Sequence, residues 1–232
     1  MKLLAFETAT EACSVALYLD GEVIERYEIA PRLHAEYALP WAEALLAQAG
    51  IKRTQLDVIA VSRGPGAFTG VRLAIALAQG IALALDRPVV TVSTLQAIAV
   101  QAQGARIFAA IDARMGEVYV GAFERDGDDL LAVSSETVCA PQAVTLPDSE
   151  RDWHGVGTGF AAVEGALATH LGSQLASIDA SVLPHAADVA RLAVAAYARG
   201  EALAPERIEP AYLRNNVALT LEEQKALRAS RL

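Results

Sequence analysis

The side chains of this sequence raise three kinds of chemistry: phosphate binding at a glycine-rich loop, metal binding through histidines, and attack by an activated nucleophile. The loop is Gly64-Pro65-Gly66-Ala67-Phe68-Thr69-Gly70, and it runs into a long apolar stretch. Glycine loops that open helices often hold phosphates, because free backbone N–H groups and the positive helix end face the ligand. The spacing here fits neither familiar version. A P-loop needs a glycine, four residues, then Gly-Lys-Ser/Thr. Five residues after Gly64 stands Thr69, five after Gly66 stands Val71, and no lysine follows. The dinucleotide fingerprint fails by one residue, since Gly70 comes one position late. The loop reads as a tight strand-to-helix turn, with Pro65 fixing φ and the glycines taking conformations closed to other residues.

Metal and nucleophile chemistry find less. His34, His154, His170 and His185 include no pair three to five residues apart, so no helical face presents two imidazoles to one metal. His34 opens a helical stretch and reads as a capping or partner-contact residue. Cys13 and Cys139 make neither a disulfide framework nor a metal pattern. Cys13 falls at an inward strand position and behaves as a small buried hydrophobe. No Gly-x-Ser-x-Gly elbow is present, so no activated nucleophile is evident.

The elements that carry these residues form a β-β-β-α-β-α-β-α series. Residues 2–6 and 13–19 are β-rich runs, and Asp20-Gly21 is a strong hairpin turn into a third strand. A helix follows over about 34–49. Two nearly continuous apolar strands, 58–62 and 89–93, alternate with helices, as buried parallel strands do. The pattern then begins again. Residues 5–22 align with 110–128, allowing one insertion. In each copy a strand ends in an acid, Glu7 or Asp112, and a second strand runs to an Asp-Gly hairpin. A repeat of this kind predicts two related lobes, over residues 1–104 and 105–214, followed by a charged tail over 215–232. Gly155, Gly157 and Gly159 stand in the second lobe either as a phosphate or adenosine loop or as a strand-to-helix turn.

Two helices carry more apolar surface than one core contact requires. Over residues 71–85 only Arg72, Gln79 and Gly80 interrupt the apolar run. Ala74, Ala78 and Ala82 make one row of small residues; Ala76, Gly80 and Ala84 make another. Either this helix is wholly internal or a partner covers one side of it. In the first helix Tyr37, Ala38, Leu39, Trp41, Ala42, Leu45 and Leu46 fill a wide arc, with Pro40 on the polar side. An aromatic-rich face suits an interface core, or a fully internal position. The sequence-based assignment to a partner interface is His34, Tyr37, Ala38, Trp41, Leu45, Ala74, Ala78 and Ala82.

Composition limits the partners. The chain has 232 residues, net charge −9, and 53% hydrophobic residues, and only three of its nineteen basic residues are lysine. Phosphate neutralisation needs a basic patch, so this chain is not expected to grip nucleic acid alone. The apolar run of 71–85 is too short for a membrane span of about 20 residues. The expectation is a cytoplasmic protein.

With these residues in view, a resemblance emerges. The duplicated hairpin with an acid at each turn resembles the actin, sugar-kinase and Hsp70 superfamily, whose two turns embrace the phosphates of ATP. More narrowly, Phe6-Glu7-Thr8-Ala9-Thr10, the stretch 62–82, Asp112-Ala113-Arg114-Met115-Gly116 and Pro210-Ala211-Tyr212-Leu213-Arg214 resemble the TsaB (YeaZ) family. The resemblance covers residues 2 to about 214. It implies an α/β fold of two ribonuclease H-like, actin-like lobes. It also implies a role in making threonylcarbamoyladenosine at tRNA position 37. The catalyst there is a TsaD-like paralogue, with this chain as its dimerisation partner and a TsaE-like ATPase joining the assembly. In ATP-binding members of the superfamily the first turn is glycine-rich. Here it is Glu7-Thr8-Ala9-Thr10, with no glycine, and the second is Asp112-Ala113-Arg114. Glu7, Thr8, Thr10 and Asp112 thus stand as degenerate phosphate-turn positions, with Gly64, Pro65, Gly66 and Gly70 as structural residues of the loop. No metal and no cofactor are expected for the isolated chain, and ATP or ADP only within a partner complex. Alone, the chain should pair with itself, and tRNA should reach it only through the complex. An active actin-like ATPase or kinase is the alternative class. The missing phosphate glycines, the absent histidine pair and the apolar helix surface favour the non-catalytic subunit.

Overall fold

Residues 1–127, 129–148 and 152–214 are described by the computed structural model. The first half builds β1 (Lys2–Glu7), β2 (Ala12–Leu19), β3 (Glu22–Ile29), α1 (His34–Gln48), β4 (Val58–Ser62), α2 (Phe68–Leu85), β5 (Val89–Val92) and α3 (Thr94–Ala99), the expected series. The β2–β3 hairpin turns at Asp20 and Gly21, whose φ values are 47° and 113°, a backbone that Asp-Gly adopts cheaply. The sheet order is β3-β2-β1-β4-β5, antiparallel across β1–β2–β3 and parallel across β1–β4–β5.

The second half repeats it with β6 (Arg106–Arg114), β7 (Glu117–Asp126), β8 (Asp129–Ala132), β9 (Thr137–Cys139), β10 (Trp153–Val156), α4 (Ala162–Leu171), β11 (Leu175–Asp179) and α5 (Ala186–Ala198). Its main sheet reads β8-β7-β6-β10-β11, the same order and the same mixture of pairings. The duplication seen between 5–22 and 110–128 is the equivalence of the β1–β2 and β6–β7 hairpins.

Alternation along β1 assigns the layers. Leu4 and Phe6 face α1 and α2, with Val15, Leu17, Ile59 and Val61. Leu3 and Ala5 face the opposite way, into a core shared with α3, α5 and the β6 residues Ile107, Ala109 and Ile111. Phe108, Trp153, Phe160 and Leu167 form a third cluster on the far side of the second sheet.

The division at residues 104 and 105–214 needs correction. Helix α5 follows the second lobe in sequence and packs on the first sheet, where Ala186 N–H donates to Ser14 Oγ at 2.8 Å. Leu203 bridges Val89, and Ala211 N–H donates to the Arg63 carbonyl at 2.8 Å. Residues 186–212 therefore return to the first lobe, and Arg214 reaches back to Glu117 on the second. The six-residue α3 is too short to cover the inner face of five strands, and α5 completes the cover. The charged tail expected over 215–232 lies outside the described residues.

The partner-interface assignment is also corrected in part. Ala38, Ala74, Ala78 and Ala82 are wholly buried and Leu45 is 1% exposed within the single chain, in the cluster beneath α1 and α2. Their small side chains let the helices sit close to their own sheet, so no partner reaches them. The outward row on α2 is the other one: Ala76, Gly80 and Ala84 are exposed, flanked by Leu83 at 61% and Phe68 at 56%. On α1 the outward residue is Leu39, while Tyr37 and Trp41 are half-buried and stacked at 4.9 Å. Helix α2 has the length and apolarity of a membrane span, yet Val71, Ala74, Ile75, Ala78 and Ala82 are committed to the sheet.

Candidate functional site

The carboxyl ends of β1 and β6 face each other across a cleft of about 970 Å³, lined by Thr8, Thr10, His34, Gly70, Asp112 and Arg114 among others. Asp112 and the loop residues Gly66, Gly70 and Thr158 reach this cleft, whereas Glu7 is buried in the core. The geometry shows what each group does.

The first glycine loop is occupied by the protein's own backbone. A Cβ on Gly66 would lie 2.3 Å from the Ala9 carbonyl oxygen, and one on Gly70 would lie 1.9 Å from that of Thr8. Ala67 N–H donates to the Ala9 carbonyl at 2.6 Å, and Thr8 Oγ1 donates to the Gly70 carbonyl at 2.7 Å. Thr8 is wholly buried and Thr10 nearly so; Thr10 Oγ1 accepts from Ala12 N–H at 3.2 Å. Gly64, at φ 91° and joined to Pro65 by a cis bond, accepts from Thr94 N–H at 2.9 Å. The loop clamps the β1–β2 turn.

The second lobe uses its glycines alike. A Cβ on Gly157 would meet the Ala110 carbonyl oxygen at 2.4 Å, one on Gly159 would meet Ala110 Cβ at 2.7 Å, and one on Gly155 the Phe160 ring at 2.6 Å. Of the two readings of this triplet, the packed turn is the one the fold adopts. Asp112 turns its Oδ1 to Arg114 N–H at 2.8 Å and pairs with the Arg114 guanidinium at 2.9 Å.

Glu7 differs sharply from Asp112. Its side chain is wholly buried; Oε1 accepts Ala9 N–H at 2.6 Å, while Oε2 has no hydrogen-bond partner among the described residues. Loss of water pushes its pKa up to about 7; the Ala9 N–H, the nearby Ser62 hydroxyl and the charge of His185 oppose that less strongly. At neutral pH this acid is close to half-protonated. It is a core residue whose charge is not free to meet a ligand in the cleft.

His34 joins α1 to the first hairpin, its Nε2 lying 3.0 Å from the Thr10 carbonyl and 3.2 Å from that of Ala12. Both partners are acceptors, so Nε2 carries the proton. Neither cysteine offers a thiolate. Burial pushes Cys13 up to about 12, helped by Glu7 and Glu28, and burial also raises Cys139. Among the described residues no group of three His, Cys, Asp or Glu side chains could hold a metal ion.

Two features escaped the sequence. Glu25 on β3 accepts His185 Nδ1–H and Ala187 N–H, each at 2.9 Å, so it caps α5 from the first sheet, with Tyr27 stacked on the imidazole at 4.1 Å. No local signal links residues 160 positions apart. The second is residues 208–214, which run from α2 across the cleft; the motif at 210–214 marked the stretch without indicating its path.

The model of a family described as "TsaD: tRNA N6-adenosine threonylcarbamoyltransferase" matches residues 23–221. A protein of Escherichia coli (strain K12), "tRNA threonylcarbamoyladenosine biosynthesis protein TsaB", is 42% identical, covering 94% of this chain and 96% of its own. The chain belongs to the TsaB (YeaZ) family. A TsaB of Haemophilus influenzae is 39% identical over 94% of the chain and 95% of its own length. Among solved structures, "YeaZ from Pseudomonas aeruginosa" superposes with a TM-score of 0.84 at 44% identity, covering 91% of this chain and 99% of that one. A second Pseudomonas aeruginosa structure, described as similar to peptidase YEAZ, gives 0.86 at 46% identity over 92% and 99%. The two-lobe, actin-like fold is thus shared with TsaB-family structures. In this TsaB-family chain the peptidase likeness finds no activated thiol, for the reasons given by Cys13 and Cys139.

Proposed function

We propose that this chain is the non-catalytic dimerisation subunit of a tRNA N6-threonylcarbamoyladenosine transferase, binding a TsaD-like catalytic paralogue through the outer face of α1 and α2. One observation carries the reading. In both lobes the backbone that would approach phosphate is held against the strand ends by Gly66, Gly70, Gly157 and Gly159, with no room for even a methyl group. A nucleotide in the cleft would find Ala9 and Ala113 where open glycine amides are wanted. Nucleotide then belongs at the joint with the partner, and a TsaE-like ATPase completes the assembly.

The outer face supplies the binding half. Phe68, Leu83 and Leu39 are each at least 45% exposed, and Ala76, Gly80 and Ala84 are exposed at four-residue spacing on α2, a row of small residues that permits close helix approach. Exposed apolar residues gathered into one patch mark association surfaces. Alone, the chain covers it by pairing with itself about a two-fold axis, and homodimer and heterodimer exclude each other. A net charge of −9 leaves tRNA contact to basic surface on the partner.

The open cleft of about 970 Å³ favours a second reading, an actin-like ATPase active by itself. Reconstitution separates the two. The TsaD-like paralogue and the TsaE-like ATPase, given tRNA, ATP and an activated threonylcarbamoyl donor, should modify tRNA only when this chain is added, and this chain alone should turn over nothing. Calorimetry of the isolated chain with Mg-ATP should give no binding in the low micromolar range. Turnover of ATP by the chain alone would overturn the proposal.

A further inference from the structure

The segment that crosses the cleft is anchored on both lobes. On the first, the Pro205 carbonyl accepts Gln79 Nε2–H at 3.0 Å, Ile208 is buried against α2, and Ala211 N–H donates to Arg63. Arg72 Nε–H donates to the Tyr212 hydroxyl at 2.7 Å, and its guanidinium lies 3.3 Å over the Phe68 ring and 5.3 Å over that of Tyr212. Two residues on, the chain has reached the second lobe. Arg214 pairs there with Glu117 and donates to the Ala113 carbonyl at 3.2 Å and the Arg114 carbonyl at 3.5 Å.

The place where Arg214 lands needs holding. The β6–β7 turn puts Arg114, Met115 and Gly116 in succession at φ 61°, 57° and 79°. Left-handed backbone is unfavourable for a non-glycine residue, and Met115 is 85% exposed, with its sulfur accepting from Arg214 Nη1–H at 3.5 Å. Arg214 gathers two carbonyls and the Glu117 carboxylate around this turn. A five-donor guanidinium fork suits that task, where a lysine point charge would not.

We propose that residues 208–214 are a strap that couples closure of the interlobe cleft to the start of α2. One end grips Phe68 and Arg72, beside the apolar outer face; the other grips the hairpin at 113–117. An influence that orders either end then orders the other, by the reciprocity that governs coupled sites. Resting on the proposed function, the strap makes a partner on α1 and α2 tighten the cleft. It regulates the assembly without adding a contact to it.

Amide hydrogen exchange on the full-length chain, without partner, tests the coupling. Arg214→Ala cuts the second-lobe end, and the decisive peptide is at the other end. Exchange at 68–72 should rise by about fivefold or more, the lower range of such couplings. Tyr212→Phe keeps the ring and removes the oxygen that accepts from Arg72; exchange at 113–117 should rise in turn. Change confined to the mutated end in both variants would overturn the strap, as would no change. If Arg214→Ala accelerates exchange throughout β1 and β4, Glu117→Gln is read by the same criterion. Capture of the TsaD-like paralogue by Arg214→Ala should weaken by a similar factor. Loss of capture by wild type would sink the partner reading while leaving the exchange result intact.

Discussion

Glu7 closes β1 with its carboxyl wholly inside the protein, and its protonation leaves a mark on stability. An ordinary glutamate titrates near 4.5, whereas burial holds this one near 7. Between those values the folded chain keeps a proton that the unfolded chain has lost, so stability falls as pH rises from about 4.5 and levels off above about 7. The shift corresponds to about 3 kcal/mol. Glu7→Gln should flatten most of that slope and be more stable than wild type at pH 8, measured by urea unfolding at pH 5, 6, 7 and 8. An unchanged slope would show that the carboxyl is solvated. Two other groups slope the same way. His185 is raised by its hydrogen bond to Glu25, and its contribution is present below about 6.5 and fades as pH climbs through the folded value; Asp188 is raised by burial. Their share should persist in Glu7→Gln. The repeat paired Glu7 with Asp112; β1 ends at Glu7, whereas β6 runs on past Asp112 to Arg114. The sequence could not distinguish the two acids, because the surroundings of Glu7 include Ser62 and His185 at the start of α5, which lie far along the chain.

Elements were the most legible scale. Alternation, the Asp-Gly turn and the apolar runs located β1 to α3, since each signal is local. The orientation of α2 was not legible: both rows of small residues recur at helical spacing, and only the sheet decides which one turns inward. Glycine substitutions now discriminate between roles. Gly70→Ala would set a methyl against the Thr8 carbonyl; we expect a loss of about 3 kcal/mol or more, or no folded protein. Gly80→Ala meets nothing within 4 Å and should stabilise the isolated chain by about 1 kcal/mol, as such helix substitutions do. The same methyl lies on the outward track of α2, so the variant should gain melting temperature while losing partner affinity. Gain of both would place the close helix contact elsewhere.

At the scale of the whole molecule, duplication supplies two equivalent sheets, and the chain then breaks the symmetry by sending α5 and residues 203–212 back to the first lobe. That return could not be read from the repeat, because it is a tertiary solution to an uncovered sheet face. It also determines which surface remains uncovered: the inner face of the first sheet is sealed by α5, and the outer face of α1 and α2 is left. Substitutions on the two sides of α2 therefore separate fold from association. Ala78→Arg forces a charge beneath the helix and should unfold the chain. Ala76→Arg points outward and should leave circular dichroism and melting unchanged. The most direct measurement is the affinity of folded Ala76→Arg for the TsaD-like paralogue, by calorimetry beside wild type. A loss of about a hundredfold, near 3 kcal/mol, together with loss of the homodimer, is the predicted result; capture equal to wild type would place the interface on another surface.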